Sequence, residues 1–168
     1  MKALVVIAPT GYQDIEYAGT CKGLEEGGFA VIVCSTEVGE CRGKLGGTEQ
    51  STLALRDAHA ADVDRVAFIG GPGARALADD ADAQRLARET VAEGKVLGAI
   101  CIAPLILAHA GVLQGKRATV WDEDGEQAPA FERLGISYTG EAVTVDGNIV
   151  TGNGPEAAEE FGRVLAKI

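Results

Sequence analysis

Val96-Leu97-Gly98-Ala99-Ile100-Cys101-Ile102-Ala103 is the stretch on which the reading of the fold turns. Val96 to Ile100 is short and apolar at every position, not at alternate ones. That pattern belongs to a strand covered on both faces. Ile102 to Ala110 continues apolar and stops at Gly111, which reads as a buried helix. Strand and helix meet at Cys101.

Working outward, the same alternation recurs. Ala3 to Ala8, Ala30 to Cys34, Arg65 to Ile69 and Arg117 to Trp121 read as further core strands. Asp14 to Gly27 and Ala81 to Glu93 read as helices closed by glycines, and Ala128 to Leu134 as a short one. Glu37 to Arg56 is polar and glycine-rich, and is expected to form a β-hairpin excursion. Ala142 to Val145 and Ile149 to Thr151 flank Asp146-Gly147, a type I′ hairpin signal. Pro155 suits the first position of a last helix. Apolar strands alternating with helices imply a parallel sheet with helices on both faces. The expected architecture is a doubly wound α/β/α sandwich, formed by residues 1–168 as a single domain. Its site should lie beyond the carboxyl ends of the strands.

The chain has 168 residues, enough to bury a sizeable core. Its net charge of −10 argues against a nucleic-acid or anionic-membrane partner. The apolar N-terminal run is too short for a membrane helix or signal peptide, so a cytoplasmic protein is expected. Four cysteines without CxxC spacing read as reduced thiols. Only two histidines, His59 and His109, are present, which discourages a metal site and leaves no cofactor implied.

Three strand ends carry possible chemistry. Ala99 and Ala103 are small residues two before and two after Cys101, as a tight nucleophile elbow requires. A following helix N-terminus would favour the thiolate. The Gly70-Gly71-Pro72-Gly73 turn could bring the Gly71 N–H beside that of Ile102 as an oxyanion hole. Glu16, in the first turn of a helix, could share the thiol's proton or simply complement the helix dipole. Pro72 and Trp121 are expected at the pocket, although Trp121 also reads as an ordinary strand-end core residue.

Taken in order, ALVVIAPTGYQDIE, VAFIGGPGA and GAICIAPLILAHAGVLQGKRATVW resemble the ThiJ/PfpI family, the superfamily of the Parkinson-disease protein deglycases and the protease PfpI. VTVDGNIVTGNGPEAAEEFGRVL is similar to that family's last hairpin and helix. The resemblance covers essentially the whole chain. It implies a flavodoxin-like sandwich, Cys101 as reactive cysteine, Glu16 as its carboxylate partner, backbone N–H groups from Gly71 and Ile102, and a homodimer or higher homo-oligomer.

The chain departs from the pattern in its histidines. Protease-type members keep a histidine where Ile102 stands, and others keep one where Trp121 stands. His109 lies eight residues along the helix from Cys101, roughly 12 Å away. His59 precedes the Arg65–Ile69 strand and belongs at the far edge. A Cys-His-acid peptidase is therefore disfavoured. The resemblance implies instead a cofactor-free glyoxalase or deglycase acting on small reactive carbonyls. Two other readings stand beside it: a redox or stress sensor whose cysteine meets an oxidant and becomes sulfinate, and a binding domain without catalysis.

Overall fold

The computed structural model describes residues 1–168. Twelve strands occur in chain order: β1 (Lys2–Val6), β2 (Thr10–Tyr12), β3 (Ala30–Ser35), β4 (Gly39–Gly43), β5 (Thr48–Ser51), β6 (Leu53–Ala54), β7 (Arg65–Phe68), β8 (Val96–Ile100), β9 (Arg117–Ala118), β10 (Ser137–Tyr138), β11 (Val143–Asp146) and β12 (Ile149–Gly152). Six helices accompany them: α1 (Asp14–Glu26), α2 (Ala74–Leu77), α3 (Ala81–Ala92), α4 (Pro104–His109), α5 (Gln127–Arg133) and α6 (Ala158–Lys167). Seven strands form the main sheet in the order β11-β12-β8-β7-β1-β3-β6. All its neighbours run parallel except the β11–β12 hairpin.

The continuous apolar strands explain the two layers. In β1, Leu4 and Val6 face a core shared with Leu86 of α3 and Ile106 of α4. Ala3 and Val5 face the opposite core, with Leu24 of α1 and Phe161 of α6. Each strand therefore buries side chains on both faces, and alternate polarity would leave one face unpaid in apolar contact. The fold is α/β, a mainly parallel sheet between helices, as the sequence predicts.

Register positions the site. Val6 pairs with Phe68, Phe68 with Ala99, and Thr151 with Ala99. The carboxyl ends of β7, β8 and β12 thus finish side by side, with Gly70, Cys101 and Gly152 just beyond or at their ends. Cys101 donates its N–H to the Gly152 carbonyl at 2.8 Å.

Several elements differ from the sequence expectation. Arg117 to Trp121 does not supply a core strand: only Arg117–Ala118 is extended, and it pairs with β10 in a separate two-stranded sheet. Thr119 N–H bonds to the Thr151 hydroxyl instead of a strand backbone, and Trp121 N–H bonds to the Cys101 carbonyl. The place next to β8 is taken by β12, the second strand of the hairpin. The excursion does contain a hairpin, β4 with β5, and β2 extends it to three strands. The buried helix after Cys101 begins only at Pro104. Pro155 opens a 3-10 turn, and α6 follows from Ala158. No helix is long and apolar enough to cross a membrane.

Candidate active site

Cys101 is the one non-glycine residue with positive φ, at 63°. That conformation costs a β-carbon about 1 kcal/mol or more, so the surroundings must impose it. They do so through its own backbone. Its N–H is tied to Gly152 and its carbonyl accepts from Trp121 N–H, both at 2.8 Å. The turn between β8 and α4 is thereby held as an elbow that presents the sulfur at the sheet's carboxyl edge.

Glycines make room for it. A β-carbon on Gly70 would lie 2.6 Å from Cys101 Cβ and 2.8 Å from Glu16 Oε2. Gly71 has φ +103°, and a β-carbon there would meet the Gly11 carbonyl oxygen at 2.5 Å. Gln13 N–H bonds to the Gly70 carbonyl and Gly73 N–H to the Gly11 carbonyl, which joins the 10–13 and 70–73 segments. The GGPG turn is thus a close-approach device between two backbones.

Glu16 sits in the first turn of α1, completely buried. Gly70 N–H donates to Oε2 at 3.0 Å. Oε1 has no well-formed hydrogen bond, although the Cys101 thiol lies beside the carboxylate and helps to lower its pKa. Burial dominates and raises Glu16 from an ordinary 4.5 to about 7; the thiol, Gly70 N–H and the Lys44 charge oppose it. Cys101 is pushed up to about 12, first by burial and then by the adjacent Glu16 carboxylate. The N–H groups of Gly71 and Ile102 pull it down by hydrogen bonding to the sulfur. Neither N–H finds a backbone acceptor.

The expected helix-favoured thiolate is therefore corrected. α4 starts three residues beyond Cys101 and is six residues long, too short a dipole to offset burial beside a carboxylate. Burial raises both groups, so it disfavours the charged form of the thiol and of the carboxyl alike.

A cavity of about 370 Å³ opens on the sulfur, bordered by Cys101, Ile102, Gly71, Pro72 and Trp121. The predicted positions are all brought together there, with Glu16 beneath the sulfur and not on the cavity wall. Sequence reasoning missed Gln13, Lys44, Arg75 and Glu123, which also border the cavity. Lys44 lies in the excursion, and its place depends on a loop clamp that no local pattern announces. The histidines lie elsewhere: His59 is 3.7 Å from Glu89, and His109 bonds to the Ala78 carbonyl and Asp79. Neither borders the cavity.

A family model described as the DJ-1/PfpI family matches residues 1–168. The chain is similar to an uncharacterized protein, MJ0967, of Methanocaldococcus jannaschii: 35% identical, covering 99% of this chain and 81% of that one. It is 27% identical to a protein named deglycase PfpI of Pyrococcus furiosus, covering 98% of both. It is also 27% identical to one named glutathione-independent glyoxalase DJR-1.2 of Caenorhabditis elegans, covering 95% and 83% respectively. A ThiJ/PfpI domain protein from Brachyspira murdochii superposes with a TM-score of 0.92 at 32% identity, covering 98% of this chain and 94% of that one.

Proposed function

The chain belongs to the DJ-1/PfpI family, and we propose that within it the chain is a cofactor-free, cysteine-dependent enzyme that converts small 2-oxoaldehydes to 2-hydroxy acids. The observation that carries the reading is the buried Glu16 carboxylate beside the Cys101 thiol, with an orphaned Oε1 and a pKa near 7. A carboxylate of that pKa can take and return a proton at neutral pH. Relatives named deglycase and glyoxalase support the same chemical class.

The reaction adds water overall. The Cys101 sulfur bonds to the aldehyde carbon while its proton passes to Glu16. The resulting oxyanion is held by the Gly71 and Ile102 N–H groups and then takes the proton from Glu16, giving a hemithioacetal. Glu16 next removes the hydrogen on C1 as a proton and returns it at C2. The hydroxyl proton moves from O1 to O2, so C1 is oxidised to a thioester as C2 is reduced to an alcohol. Water cleaves the thioester and restores the thiol. No leaving amine needs protonation, which suits a cavity without an imidazole and disfavours peptide hydrolysis.

Lactate formation from methylglyoxal tests the reading. The wild type is expected to form lactate and Cys101→Ser none. Equal activity in the two proteins, or none in either, overturns it. The oxidation-sensor alternative makes a separate forecast: mild peroxide would modify Cys101 before Cys21, Cys34 or Cys41 in intact-mass analysis.

A further inference from the structure

The cavity carries more positive charge than the chain around it leads one to expect. The protein has a net charge of −10. Yet the cavity wall includes Lys44 and Arg75 against one acid, Glu123, all three exposed. Arg75 reaches Asp124 at 3.3 Å, an exposed pairing of small value. Lys44 takes part in no ion pair with any acid of the protein.

The position of Lys44 is built, not incidental. Its N–H bonds to the Tyr12 carbonyl at 2.8 Å. Two further N–H groups of its loop, those of Leu45 and Gly47, donate to the Asp14 carboxylate at 2.8 Å. β-Carbons on Gly43 and Gly47 would collide with that carboxylate. Asp14 is also the first residue of α1, the helix that carries Glu16. One acid therefore fixes the lysine's loop to the element that holds the buried carboxylate.

A third donor points the same way. Gln13 is 7% exposed and borders the cavity. Its Oε1 accepts from Ile15 N–H at 2.7 Å to cap α1, which fixes which amide atom is oxygen. Its Nε2 has no protein acceptor and is not sealed from solvent. The amide's free N–H groups face the cavity and can donate to a bound acceptor in place of water.

We propose that the cavity selects 2-oxoaldehydes bearing a carboxylate at the end remote from the aldehyde, bound by Lys44, Arg75 and the Gln13 amide. The inference rests on the thiol-addition reading above and specifies its substrate. The reaction is unchanged: thiol addition at the aldehyde carbon, proton transfer from C1 to C2, and hydrolysis to a 2-hydroxy dicarboxylate. The carboxylate tail takes no part in bond making. It orients the aldehyde toward Cys101.

The test compares 4,5-dioxovalerate, which has such a tail, with methylglyoxal, which does not. Lys44 also lowers the pKa of Glu16, so its removal perturbs both reactions, and the ratio of the two kcat/KM values is the proper readout. A charge-assisted contact of ordinary strength makes this ratio about tenfold in favour of dioxovalerate for the wild type, with most of the preference lost in Lys44→Gln and restored in Lys44→Arg. A wild-type ratio near one, or a ratio that Lys44→Gln leaves intact, overturns the proposal while the thiol-addition reading stands. If the wild type turns over neither compound, the thiol-addition reading fails instead. Calorimetric titration with glutarate then decides the charge selection alone. Binding that Lys44→Gln weakens about tenfold and Lys44→Arg restores supports an anion-selective cavity, and absence of binding overturns it.

Discussion

Replacing Glu16 by Gln tests the electrostatics of the site without emptying it. The amide keeps an oxygen to accept from Gly70 N–H and supplies N–H donors in place of the orphaned Oε1. What changes is the charge. Glu16 is completely buried, and its folded pKa of about 7 lies above the ordinary 4.5. The folded protein therefore retains a proton there that the unfolded chain releases from pH 4.5 upward. The stability associated with the neutral carboxyl is present in acid, declines from 4.5 as pH rises, and is gone above about 7. The displacement spans about 2.5 pH units; at about 1.4 kcal/mol per unit it is worth about 3 kcal/mol. All other titrating groups are common to the two proteins, so their contributions largely cancel in the difference. Urea unfolding of the wild type and Glu16→Gln across this range should therefore show a difference that grows by about 3 kcal/mol in favour of the variant between about pH 4 and pH 8. Parallel stability curves would refute the reasoning, as would a difference that grows in favour of the wild type.

Three further outcomes follow from the same geometry. Turnover of methylglyoxal should rise as pH approaches about 7 and level above it, because the proton acceptor is the ionised Glu16; a pH–rate profile flat through that range contradicts this role. Gly70→Ala should abolish activity, because the new methyl would occupy the space between Cys101 and Glu16; full activity in a crystallised variant with an unmoved elbow would contradict the close approach. Gly23→Ala should lower stability by about 2 kcal/mol or more, since its β-carbon would lie 2.3 Å from the Gly162 backbone where α1 packs on α6; a thermal midpoint equal to wild type would contradict that packing.

The sequence by itself determined the parallel sandwich. Runs such as Ala3–Ala8 and Val96–Ile100 are apolar at both odd and even positions, and only a sheet covered on both faces can bury them. The small residues around Cys101 and the GGPG turn were legible for a related reason: tight backbone approach restricts side-chain size locally, and local restriction appears in sequence. Arg117–Trp121 misled because a short apolar run does not say which partner its backbone will take. The hairpin strand Ile149–Gly152 won the place beside β8.

What only the tertiary structure decided is electrostatic and long-range. The left-handed backbone at Cys101 is held by Gly152 and Trp121, 51 and 20 residues away in the sequence. The helix-lowered thiol expected from the elbow pattern gave way to burial beside Glu16, a balance set by solvent exclusion and not by neighbours in sequence. Lys44, Arg75 and Gln13 reach one cavity from three separate segments. Charge and desolvation act through space, so residues far apart in the chain set the electrostatics of a site whose location the chain already shows.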